Sequence, residues 1–99
     1  SNAMRARYKA PTDTGFREIV VPNKLETLQE LVGGYIETVT MTLDSCLIVN
    51  EEGRILGLPH NCNYLGIDVC GPMLIVGVDG DEFADVPLSV VMANKGIVK

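Results

Sequence analysis

Polar and apolar residues alternate at the start of the chain. Arg5, Arg7 and Lys9 fall on one side, Ala6, Tyr8 and Ala10 on the other. That spacing predicts a half-buried strand, and its basic side chains suit a sheet edge, where charge blocks further pairing. Pro11-Thr12-Asp13-Thr14-Gly15 is turn chemistry leading into a second strand, Phe16 to Val21. The period then changes: Leu25, Leu28, Leu31 and Val32 form a helical stripe, with Asn23 placed as N-cap and Glu26 as its capping-box partner. Gly33-Gly34 should stop this helix with at least one positive φ, turning it onto the strand that follows. Leu28 and Leu31 are then expected against Val39, Met41 or Ile48.

Alternation returns from Tyr35 to Leu43, with Glu37, Val39, Met41 and Leu43 on one face and Thr38, Thr40 and Thr42 on the other. Cys46 to Val49 is continuously apolar and predicts a strand covered on both faces. Asn50-Glu51-Glu52-Gly53 predicts a hairpin turn, and Arg54-Ile55-Leu56-Gly57 its returning strand. From Leu58 to Gly71 the glycines, asparagines and Pro59 break any period, which predicts an irregular loop. Pro72 to Val78 is a second buried strand, Asp79-Gly80-Asp81-Glu82 a solvated acidic turn, and Pro87 to Lys95 a closing helix stopped by Gly96. Strands first, with one helix inserted and one at the end, describe an α+β domain. The expected sheet is mixed or mainly antiparallel, of four to six strands, with both helices on one face.

Composition adds limits. The 99 residues, 46% hydrophobic and 21% charged, suit a single globular domain over residues 4–99. Ser1-Asn2-Ala3 reads as a remnant of tag removal. No apolar run is long enough for a bilayer-spanning helix, so no membrane partner is expected and cytoplasmic residence is the default. The odd cysteine number, 3, and the lack of a Cys-x-x-Cys pair do not describe a disulfide framework. The net charge of -5 is unevenly spread: the segment up to Lys24 is basic and the rest is acidic. An acidic body argues against nucleic acid, which needs dense positive charge.

Few residues offer chemistry. Arg5, Arg7, Lys9 and Arg17 form a basic stripe that could hold phosphate or an acidic partner; as a charged edge it would simply guard the sheet. Glu37 shares a face with apolar residues, as a site carboxylate or as a residue at the wet end of its strand. His60, the only histidine, sits beside Asn61 and near Cys62 as a binding, metal or nucleophile–base candidate, or as an ordinary loop histidine. No second metal-ligand pair, phosphate loop or Ser/His/Asp set accompanies it. No cofactor, metal ligand or catalytic residue is therefore assigned.

Three segments in order carry a resemblance. Leu25 to Glu37 is similar to the opening of the domain of unknown function 3846 family. Ile48 to Asn61 resembles that family's hairpin, Asn-Glu-Glu-Gly followed by Gly-Leu-Pro-x-Asn; here these are Asn50, Gly53, Gly57, Pro59 and Asn61. A strand rich in Ile, Val and Gly follows in both, at Leu74 to Val78. The resemblance implies a small accessory protein of phage, plasmid or mobile-element origin and no particular activity. The expected function is a non-catalytic protein-binding module, with a partner protein or a second copy on the apolar closing helix. Nucleic-acid association through the basic strand, and an enzyme or metal site around Leu58–Gly71, are the alternatives.

Overall fold

The computed structural model describes residues 3–94. Across them run β1 (Ala3–Lys9), β2 (Arg17–Pro22), α1 (Leu25–Val32), β3 (Ile36–Thr42), β4 (Ser45–Asn50), β5 (His60–Tyr64), β6 (Ile67–Cys70), β7 (Met73–Asp79), β8 (Glu82–Ala84) and α2 (Leu88–Asn94). The main sheet has the order β2-β1-β7-β4-β3, with β8 paired to β7, and β5 and β6 form a separate hairpin. Every pairing is antiparallel. The fold is α+β, as the pattern of strands and helices predicts. The expected closing positions Lys95 and Gly96 lie outside the described residues.

The continuous apolar runs become β4 and β7, adjacent central strands covered on both faces. Their alternate residues divide between two cores. Cys46, Ile48, Leu74 and Val76 join Met4, Ala6 and the α1 residues Leu28 and Val32. Leu47, Met73 and Ile75 join Cys62, Tyr64, Val69 and Val86, with Val90 and Val91 of α2 packed alongside. The two helices thus lie on opposite faces, not on one. Each buried strand has two apolar faces to cover, and the β5–β6 hairpin with α2 covers the second. Leu28 reaches Ile48 as expected, whereas Val39 and Met41 point into the other core.

Three local expectations are corrected. Strand β1 is interior, between β2 and β7, so its basic stripe does not guard an edge. Lys24, not Asn23, is the N-cap of α1, without a side-chain hydrogen bond. Asn23 instead donates to the Phe83 carbonyl at 2.9 Å. Arg54 to Gly57 does not return as a strand, because β4 already has β3 and β7 on its two sides. The chain curls there, with Leu56 N bonded to Glu52 O and Leu58 N to Gly53 O. Gly33 does end α1, at φ 82°, with its N–H on Gln29 O.

Candidate functional site

The segment Leu58–Gly71, expected to be irregular, holds the β5–β6 hairpin. A register shift between His60 and Cys62 hides the strand period, leaving Asn61 and Cys62 buried in succession. The hairpin closes through Leu65 and Gly66, at φ 51° and 92°. Two positive φ angles in a two-residue loop match a type I′ turn, which normally takes Asn or Gly. Leu65 is the sole non-glycine residue with positive φ among the described residues, and it is 69% exposed.

The residues of the Asn-Glu-Glu-Gly and Gly-Leu-Pro-x-Asn strings hold this region together. Asn50 is buried; its Nδ2 donates to the Val32 carbonyl at 3.1 Å, and its Oδ1 accepts from Glu52 N at 2.7 Å. A Cβ on Gly53 would run into the carbonyl oxygen of Cys70, so only glycine lets the turn close on β6. Gly57 has φ 71°, and the Pro59 carbonyl accepts from Gly71 N at 2.8 Å. Asn61 donates to the carbonyls of Lys9 and Gly71, at 2.8 and 2.9 Å, and its Oδ1 accepts from Lys9 Nζ at 2.8 Å. Gly34 faces the Asn50 side chain. These positions are committed to intramolecular bonds and close packing.

The basic stripe is dispersed. Lys9 is 1% exposed and Arg7 is 8% exposed. Arg7 Nε donates to Asn94 Oδ1 and its Nη2 to the Phe16 carbonyl, both at 3.3 Å. Arg5 pairs with Asp85 at 3.1 Å, and Arg17 with Asp13 at 3.5 Å while lying over the Tyr8 ring. A hydrogen bond from the Ala10 backbone, helped by Arg17, holds the Asp13 carboxyl below its ordinary range.

Two clefts flank the hairpin on this face. The first, about 280 Å³, has Val39, Val49, Ile67 and Val69 among its walls and carries Glu37, Glu51, Arg54 and Asp68. Arg54 reaches Asp68 at 2.9 Å, and His60 Nε2 lies 2.8 Å from the other oxygen of that carboxylate. The His60 hydrogen bond, followed by the charges of His60 and Arg54, pulls the Asp68 carboxyl below its usual range. Glu37 thus lines the cleft directly, whereas His60 is tied to it only through Asp68. Cys62 does not join His60: it is buried against Met73 Sδ, and burial pushes its thiol up, away from the reactive thiolate. Among the described residues no group of three or more His, Cys, Asp or Glu could hold a metal.

The second cleft, about 250 Å³, is mostly apolar: Met41, Tyr64, Leu65, Ile75, Val90 and Ala93 line it, with hydroxyls from Thr42, Ser45 and Ser89. Outside its lining, Leu88 and Met92 on α2 are also exposed, at 73% and 59%. Leu43, next to the lining Thr42, is fully exposed. Sequence alone missed this groove, since Leu65 lay in a segment without period. The Tyr64-Leu65-Gly66-Ile67 string, apolar residues around X-Gly, was the signal available.

A family model described as a domain of unknown function (DUF3846) matches residues 4–93. No curated protein and no solved structure matches the chain. With all three similar segments and the sheet around them inside the match, the chain belongs to the DUF3846 family.

Proposed function

We propose that this chain is a non-catalytic, cytoplasmic protein-binding module of a phage, plasmid or other mobile element, and that it binds through the groove between the β5–β6 hairpin and α2. The observation that carries the reading is Leu65. A leucine in the left-handed region costs roughly 1–2 kcal/mol relative to glycine. Strained backbone of this kind clusters at functional sites. Here it presents an exposed apolar side chain on the rim of an apolar groove whose α2 wall is formed by Ser89, Val90 and Ala93. The polar residues that could suggest chemistry are instead bonded within the fold or rim an open, solvated cleft.

Affinity purification from the native host, followed by rebinding of the identified protein in purified form, tests this. A stoichiometric protein partner that Ser89→Glu and Ala93→Glu, exposed positions lining the groove, both release, with melting temperature unchanged, is the expected outcome. A partner retained at full strength by both variants would contradict the groove as the binding surface.

A further inference from the structure

Strand β3 ends the main sheet, and no strand among the described residues pairs with its outer side. The direction of its backbone groups follows from one bond. Glu51 N donates to Tyr35 O at 2.8 Å, in the same register as the pairs Glu37 with Val49 and Val39 with Leu47. Residues 35, 37 and 39 are thus the hydrogen-bonded pairs to β4, and the N–H and C=O groups of Ile36, Thr38 and Thr40 point outward. The edge is lightly guarded, with Glu37 its one charged residue. Ile36–Thr42 contains no lysine or proline, and its one register shift lies at the far end, between Thr40 and Thr42.

The side chains of the same strand supply a second, independent feature. Glu37 and Val39 line the charged cleft, and Met41 and Thr42 line the apolar one. The β5–β6 hairpin forms a wall of both clefts, through Ile67, Asp68 and Val69 in the first and Tyr64 and Leu65 in the second. A strand laid along β3 would therefore place successive inward side chains at the two clefts. Antiparallel partners of Met41 and Glu37 are four residues apart, roughly 13 Å at the usual rise.

We propose that the outer edge of β3 takes up an extended segment of a partner protein that carries a basic residue four positions after an apolar one. The apolar side chain enters the groove at Met41 and Leu65, and the basic one pairs with Glu37 in the charged cleft. Main-chain bonds to Ile36, Thr38 and Thr40 give affinity, and the two clefts give specificity. The carboxylates Glu37, Glu51 and Asp68, against the single cation Arg54, fix the sign of the ligand charge. This inference rests on the protein-binding reading and names the segment bound.

The probe is a synthetic heptapeptide with leucine, valine and arginine at its second, fourth and sixth positions and threonine elsewhere. Titration followed by amide chemical shifts should move residues of β3 and β6. Thr38→Pro, which removes one outward N–H and spares the ladder to β4, should weaken binding about tenfold. Glu37→Gln, an exposed change that leaves the fold intact, should weaken it about 2- to 5-fold, as should glutamine for the peptide arginine. Affinity unchanged in Glu37→Gln, shifts confined to β2 or α2, or no binding up to about 1 mM peptide would overturn the assignment. A native partner released by Ala93→Glu yet held at full strength by Thr38→Pro would overturn it too, while leaving protein binding in place.

Discussion

Lys9 shows how a single residue can mislead when only its neighbours in sequence are visible. Alternation puts it on a polar face with Arg5 and Arg7, and a basic triplet in a strand reads as an outer edge. In the folded chain Lys9 is buried and held by Asn61, 52 residues away. An ammonium is expensive to bury without a partner, so Asn61 is the residue that makes the position tolerable. Asn61→Ala should destabilise the domain by about 3 kcal/mol, because it strands a charge and frees two carbonyls. Lys9→Met keeps the stem and removes the charge but leaves Asn61 Oδ1 without its partner, and should cost less, about 1–2 kcal/mol. Urea unfolding of the two variants checks the asymmetry; equal losses would contradict it. Gly33 stands at the other extreme of legibility. Its positive φ was readable from two glycines between a helical stripe and a strand, and the side-chain space beside it is open. Gly33→Ala should therefore cost about 1 kcal/mol through backbone strain alone.

Elements were legible where a period ran undisturbed. The helical stripe of α1, the alternation of β3 and the apolar runs of β4 and β7 all appear close to their expected bounds. The candidate site was not legible, for two physical reasons. In β5 a register shift next to His60 breaks the alternation, so a strand resembles a loop. In Arg54–Gly57 the local pattern suits a strand, but the neighbouring ladder positions are taken by β3 and β7. Tertiary occupancy overrides local preference there. The segment resembling the family hairpin is consequently a curled turn that closes on β6, with Arg54 bonded to Asp68.

Over the whole molecule, the sheet separates two faces of different character. The α1 face is a core of ordinary packing, while the other carries both clefts, the strained turn and the exposed residues of α2. Burial also sets the alkaline limit of stability. It raises the thiols of Cys46 and Cys62 and the phenol of Tyr64 above their ordinary values. These groups bind protons more tightly when folded. Their contribution is complete below the unfolded values and is lost as pH rises through the folded ones. Urea midpoints should fall from about pH 8.5 upward, and Cys46→Ala, though less stable overall, should show a shallower fall. An unchanged slope would contradict this assignment.

Leu65 joins the three scales: one strained residue, at the tip of one hairpin, on the face proposed to bind. Leu65→Asn suits the type I′ turn and should raise stability by about 1 kcal/mol, or roughly 4–8 °C in melting temperature for a domain of this size. The direct test is recovery of the native partner by Leu65→Asn and by the unchanged chain, at equal concentrations of folded protein. The account predicts a more stable protein that recovers less partner. A variant that is more stable and recovers as much, or one that loses both stability and partner, would contradict it.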